Sequence, residues 1–332
     1  MVFTTLELGY NKIMDIQKQP KIVVTGGTGF AGSHLIEQLL AKGYTNIFST
    51  TFSAVDPSLR FLPDDHYRKV DLSSPEATEE FFKEIQPDWV FHLASFAYVG
   101  KSFDKARELF ANNINLQLNV LESIKNHAKN AKILTIGSAE EYGMVTPPLE
   151  KIDESVGLFP VNPYAVSKVT QDLLAHSYFL SFNLHIVRAR PFNHIGTRQT
   201  GDFAVPAFVK QIVAIEKGEQ KTLRVGNLDA VRDFSSVVDV VQAYILLMEK
   251  GVEGEVYNIG SGVGIQIEAV VQKLSSMANV PIVVETDPGR IRPLDVPGLI
   301  ADNGKMRSLG WEPKVSIDEE LKNVLDEWRK KE

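Results

Sequence analysis

Residues 21–41 read KIVVTGGTGFAGSHLIEQLLA: an apolar, β-branched run, a turn with Gly26, Gly29 and Gly32 at GxxGxxG spacing, then a segment of helical period. Gly27, Gly29 and Gly32 also satisfy GxGxxG. This string specifies a strand, a tight turn and a helix packed close to both. Such glycines let backbone approach a pyrophosphate, whose charge then rests on the N–H groups and positive dipole end of the helix that Phe30 and Ala31 open. Gly-rich turns after strands also serve packing alone, so the motif gains weight only if a βαβ pattern continues.

The pattern does continue. Apolar runs at Lys21–Thr25, Asn46–Thr51, Tyr67–Asp71, Asp88–Ala94, Lys132–Ser138 and Leu184–Arg190 alternate with helical periods at Ala31–Ala41, Pro75–Ile85, Lys105–Asn126 and Pro163–Phe182. Six strands with helical crossovers predict an α/β fold, a Rossmann-type doubly wound parallel sheet over 21–190. Beyond Pro191 the chain is richer in Gly, Pro and Arg, which predicts a smaller C-terminal substrate-binding domain over 191–332. Within it, Val237–Gly262 has a pattern suited to rejoining the first domain. Residues 1–20 have no apolar run of signal-peptide length and are expected to be a soluble extension, with Met14 an alternative start.

Composition narrows the partners. Thirty-five basic against 42 acidic residues give a net charge of −7, which argues against nucleic acid or an anionic membrane surface. No segment approaches the roughly twenty apolar residues of a membrane span. There is no cysteine, so disulfides, thiolate metal sites and Cys nucleophiles are excluded, and a cytoplasmic location is expected. Neither H-E-x-x-H nor clustered histidine suggests a metal, and Gly137-Ser138-Ala139-Glu140 breaks the GxSxG elbow of hydrolases.

Tyr164 and Lys168 stand at i and i+4 near the start of a helix and share a face. A neighbouring ammonium favours the phenolate, which suits a tyrosine to proton transfer. YxxxK is common as a surface pair, but Ser138 ends the fifth strand, where α/β sites are built, and could bind the same substrate oxygen. Glu140, two residues on, would enter the same cleft or simply be a solvated turn residue. At the end of the second strand the acid that binds the ribose of NAD is missing: Thr50, Thr51 and Ser53 stand there, favouring NADP, while Asp56 and Arg60 leave NAD open. Asp71, with Leu72 beside it in VDLSS, is either an adenine-edge contact or a turn residue.

The second part supplies RPFNH (190–194), VGNLDAVRDF (225–234) and DPGRIRPLDVP (287–297). Arg232 and Arg292 could clamp a diphosphate, helped by Asn193 and Lys210, or each could pair with the acid in its own loop, Asp233 beside Arg232 and Asp295 beside Arg292.

In this order TGGTGFAGSHL, GSAEEYG, NPYAVSK, RPFNHIG, NLDAVRDF and YNIGSG resemble the extended short-chain dehydrogenase/reductase family acting on nucleotide sugars, over nearly everything after the N-terminal extension. GSAEEYG, FNHIG, VGNLDAVRDF and RIRPLDVP are most similar to its GDP-mannose branch. The resemblance implies a GDP-sugar substrate, NADP or NAD as cofactor, and a homodimer through the helices at 105–126 and 163–182. It implies that Tyr164 donates a proton to a carbonyl oxygen, Lys168 binds the nicotinamide ribose, and Ser138 orients the substrate oxygen. Leu93, Ala94, Ser95 and Asn113 would line the cofactor together with Pro191, and Asn193, Arg232, Arg292 and Asp295 would hold the sugar nucleotide. The implied reaction is reduction of the C4 keto group of GDP-4-keto-6-deoxy-D-mannose to GDP-D-rhamnose. Alternatives are 4,6-dehydration of GDP-mannose, with Glu140 at the base position, and 4-epimerisation. Against dehydration, Ala139 stands where those dehydratases carry a polar residue, and FAVPAFVKQI where theirs is more basic. A nucleotide-sensing protein that kept only the fold is a further alternative, disfavoured by the intact Ser138, Tyr164 and Lys168.

Overall fold

The computed structural model describes residues 19–331 apart from 53–55, 98–99, 101, 147 and 292–293. Expectations for residues 1–18, Ser53 and Arg292 lie outside the described residues.

The elements run β1 (Ile22–Thr25), α1 (Phe30–Ala41), β2 (Ile47–Thr51), β3 (Tyr67–Lys69), α2 (Pro75–Ile85), β4 (Trp89–His92), α3 (Ala106–His127), β5 (Lys132–Ile136), α4 (Pro163–Phe182) and β6 (His185–Pro191). They continue with β7 (Asn193–Ile195), α5 (Ala204–Glu216), β8 (Leu223–Val225), β9 (Val231–Ser236), α6 (Val237–Lys250), β10 (Val256–Ile259) and β11 (Gly264–Gln266). Last come α7 (Ile267–Ser276), β12 (Val284–Thr286), β13 (Gly298–Leu299), α8 (Gly304–Ser308) and α9 (Ile317–Lys331).

Seven parallel strands form one sheet in the order β10-β6-β5-β4-β1-β2-β3. The chain reverses direction across the sheet between β1 and β4, which opens a crevice at their carboxyl ends, the place where doubly wound sheets bind ligands. Strand periodicity of two divides the buried residues. Ile22, Val24, Phe91 and Leu134 pack under α1 and α6, while Val23, Val90 and Ile133 pack under α2, α3 and α4. The seventh strand, β10, pairs with β6 and is reached through α6, which packs on α1. It falls outside the six strands predicted before Pro191, within the Val237–Gly262 stretch whose pattern suits rejoining the first domain.

The helices that frame the site end where local chemistry dictates. Asn162 caps α4 by accepting the Ala165 N–H at 2.8 Å, Pro163 follows at the first helical position, and Asn183 ends the helix with φ +54. Strands β4 and β5 stop at His92 and Ile136, shorter than predicted, so that 93–97 and 137–140 leave the sheet and become walls of the crevice.

After β6 the chain builds a second cluster, in which Val209, Ile212, Leu223, Val270, Leu274, Leu321 and Val324 join α5, α7 and α9 to β8. Strands β11, β9 and β13 form a small sheet, with β7 paired to β9. A bridging cluster of Ala139, Tyr142, Ile152, Phe192, Val296, Leu299 and Ala301 lies where this part meets the seven-stranded sheet. No helix among the described residues is long and apolar enough to cross a membrane.

Candidate active site

A cleft of about 690 Å³ opens at the carboxyl ends of the sheet strands. One side is the glycine loop. Gly26 has φ +69, a left-handed backbone that glycine alone adopts freely, and its N–H donates to the Thr50 hydroxyl at 3.3 Å. A Cβ at Gly32 would overlap the Gly26 carbonyl oxygen, so only glycine lets α1 sit this close to the turn. Helix α1 starts after Gly29 with no side chain bonded to its first N–H groups, which leaves those donors for an anion. The cradle fits the pyrophosphate of a dinucleotide. Gly26, Gly29, Phe30, Ala31, Gly32, Asp71, Leu72, Leu93, Ala94, Ser95 and Pro191 all line the cleft.

Several of these have structural employment as well. The Asp71 carboxylate accepts from the Ser73 N–H at 2.9 Å and the Ser73 hydroxyl at 2.6 Å, so it is a turn residue that also faces the cleft. Asn113 lies behind the wall. Its amide oxygen accepts the Phe96 N–H at 2.7 Å and its amide nitrogen donates to Phe96 O and to the Ser167 hydroxyl, so it fixes the 93–97 loop against α4. The neighbouring Asn112 lines the cleft. At the end of β2, Thr50 and Thr51 are buried, while Asp56 is bonded to Ser58 and Arg60 to Asp64.

The opposite wall holds the residues expected to do acid–base work. Ser138 follows β5, and its hydroxyl accepts the Glu140 N–H at 3.2 Å. Tyr164 lies on the first turn of α4 with its hydroxyl towards the Ser138 side chain, and burial holds that hydroxyl well above the ordinary tyrosine range. Lys168 is one turn on, buried, with Nζ donating to Ile136 O at 2.9 Å and lying 5.9 Å from the centre of the Tyr164 ring. Burial lowers its ammonium to about 8, against the opposing pull of Glu141. Glu140 lines the same wall with its carboxylate accepting from the Asn162 amide at 3.1 Å. The four residues expected to act together therefore do meet, in a site where a buried phenol can hand over a proton. Beneath them the imidazole of His92, 2.8 Å from the Thr25 hydroxyl, is held neutral by burial and by Lys168, at about 3.

The expected sugar-nucleotide residues are less gathered. Asn193 lines the cleft. Arg232 is buried, donating to Asp295 at 2.8 Å and to the backbone carbonyls of Val231 and Val296, so the pairing with a loop acid is the one formed, across loops. Lys210 is exposed on α5, its stem near Gly201, and does not line the cleft. Residues that the sequence pattern does not single out also line it. Tyr244 reaches in from α6, and His194, stacked on Phe30 with ring centres 5.7 Å apart, closes the far end with Gln199, Thr200, Asp202 and Phe203. The spacing of these residues gives no signal, since only the return of α6 and the path after β7 bring them to the glycine loop.

A nucleotide cradle facing a Ser–Tyr–Lys set at a topological switch point defines a dinucleotide-linked oxidoreductase of the extended short-chain type. Comparison with known proteins narrows the class: residues 23–324 match the family model described as GDP-mannose 4,6 dehydratase. The chain belongs to that family of nucleotide-sugar oxidoreductases. It is 33% identical over 311 residues to the GDP-6-deoxy-D-mannose reductase of Pseudomonas aeruginosa, covering 93% of this chain and 97% of that protein. Among solved structures it is similar to RMD from Pseudomonas aeruginosa complexed with NADPH, with TM-score 0.81, 29% identity, and 94% and 99% of the two chains covered. It is also similar to the UDP-glucose 4-epimerase of Thermus thermophilus in complex with NAD, with TM-score 0.83, 28% identity, and 93% and 98% covered.

Proposed function

We propose that the protein reduces the C4 keto group of GDP-4-keto-6-deoxy-D-mannose to give GDP-D-rhamnose. The observation that carries this reading is a complete proton-delivery set beside an apolar neighbour: Ala139, next to Glu140, is buried among Tyr142, Phe192 and Val296. Elimination of water between C5 and C6 needs a base for the C5 proton and an acid for the departing hydroxyl. Glu140 could be the base, but Ala139 supplies no acid beside it. Reduction needs only a hydride and one proton at the C4 oxygen.

The glycine loop, the first N–H groups of α1 and the 93–95 wall would hold the cofactor, and a bound reduced nicotinamide supplies the hydride. Ser138 then orients the C4 oxygen, and the Tyr164 hydroxyl, roughly 2.6–3.2 Å from it in a productive pose, donates the proton. Lys168 stands close enough to favour the phenolate that remains. Thr50 and Thr51 in place of a ribose-binding acid favour NADPH over NADH. Arg232 and Asn193 would meet the sugar nucleotide, with Asp295 setting the Arg232 fork. The exposed row Val166, Leu173 and Leu180 at seven-residue spacing on α4 supports a homodimer, testable by sedimentation.

The family model and the presence of Glu140 favour a second reading, dehydration of GDP-mannose. Two assays in parallel separate them. Loss of NADPH absorbance with GDP-4-keto-6-deoxymannose, and no conversion of GDP-mannose without added reductant, is the expected result. A 4-keto product from GDP-mannose alone would overturn it.

A further inference from the structure

Glu141 follows Glu140 in sequence but faces the opposite way and is fully buried. One carboxylate oxygen accepts the Ser138 N–H at 2.7 Å and the other accepts Arg190 Nε at 3.0 Å. Arg190 comes from β6 and donates onward to the Tyr142 hydroxyl at 3.1 Å and to Asp172 at 2.7 Å. Asp172, which also accepts from Arg188 at 3.0 Å, lies on α4 one turn past Lys168 and two past Tyr164. A continuous chain of charge-assisted bonds thus joins the turn that carries Ser138 to the helix that carries Tyr164 and Lys168, with Arg190 as the common anchor. The backbone is shaped around it: a Cβ at Gly137 would overlap the Glu141 carboxylate.

We propose that Glu141 is a positioning residue: its carboxylate fixes the Ser138 turn to Arg190 and supplies the negative charge that faces the buried Lys168 ammonium. The inference rests on the reading of Ser138, Tyr164 and Lys168 as the acid–base set. With both oxygens accepting hydrogen bonds, one from a guanidinium, the ionised carboxylate is the form its partners hold, although burial and Asp172 push the carboxyl upward. The groups facing Lys168 from the surrounding elements are His92 on β4, Glu141 on the turn after β5, and Tyr164 on its own helix, with Tyr164 in turn acting on Tyr244 of α6. Among the described residues, Glu141 is the one acid that acts to keep the ammonium protonated. Two acids and two arginines cancel within the network, so removing the Glu141 charge leaves an excess of positive charge beside Lys168.

The direct test is a pH titration of lysine Cε by ¹³C NMR in the full chain, with the Lys168 signal assigned by its loss in Lys168→Arg. In Glu141→Gln the Lys168 ammonium is expected to lose its proton about one pH unit lower than in the unmodified protein, the usual size of a nearby-charge effect. Glu141→Asp keeps the charge but shortens the reach, so it should leave that titration in place while lowering kcat at least ~10-fold, with KM for the sugar nucleotide changed less than ~3-fold. An unchanged Lys168 titration in Glu141→Gln overturns the charge role, and wild-type kcat in Glu141→Asp overturns the positioning role. Should Glu141→Gln not fold, Glu141→Asp still decides the second. Tyr164→Phe is assayed alongside. If it retains turnover, the reading of the acid–base set has failed, whereas its loss with wild-type behaviour in both Glu141 variants would sink only this proposal.

Discussion

The two sides of the cleft are built by different means. The cofactor side is mainly backbone: a glycine loop, a helix N-terminus and two strand ends, contributed by short contiguous stretches. The proposed sugar-nucleotide side would draw on side chains from distant loops, and Arg232, which does not line the cleft, is bonded to Asp295 and Val296. The difference teaches that the first side is rigid through close packing and tolerant of side-chain chemistry. On the proposed reading, a ligand of the second must join or rearrange the Arg232–Asp295 pair. The acid–base residues sit at the seam, placed by the buried Glu141–Arg190–Asp172 network.

Four changes sharpen or break this comparison. Tyr164→Phe removes the proton donor and should lower kcat/KM by ~10²–10⁴-fold while NADPH still binds, as read by turnover and fluorescence titration. Arg232→Met should raise KM for the nucleotide sugar ~10- to 100-fold, the loss of a charged hydrogen bond, with NADPH affinity unchanged. Equal weakening of both ligands would show that the two sides are not independent. Gly32→Ala forces a methyl group against the Gly26 carbonyl and should cost about 1–3 kcal/mol in thermal unfolding, with weaker NADPH binding. Full NADPH affinity there would contradict a cradle formed by close backbone approach. Glu140→Gln should change 4-keto reduction less than ~5-fold, well below a general acid–base contribution. A loss as large as that of Tyr164→Phe would make Glu140 part of the chemistry and favour the dehydratase.

The cofactor side was legible in the sequence because its information is local. The spacing of Gly26, Gly29 and Gly32 and the i and i+4 relation of Tyr164 and Lys168 are each set within a few residues. The parallel sheet followed from the same alternation. Tyr244, His194 and Gln199 were not legible, because only the return of α6 to the sheet and the crossing after β7 carry them to the glycine loop. Arg232 was visible as a basic residue in an acidic chain, but its partner, Asp295, lies 63 residues away and no pattern announces the pairing. Glu141 was hidden by its neighbour: two adjacent acids in a turn look solvated until the fold turns one of them inward to Arg190.

The central claim is that hydride from an external reduced nicotinamide reaches C4 of a 4-keto sugar nucleotide. It is tested most directly by supplying NADPH deuterated at C4 of the nicotinamide, on each face in turn, with GDP-4-keto-6-deoxy-D-mannose, and locating the label in the product by mass spectrometry and NMR. One of the two labelled cofactors should give GDP-D-rhamnose with a single deuterium at the sugar C4. Product without deuterium from either cofactor, or turnover of GDP-mannose with no reductant added, would contradict the account.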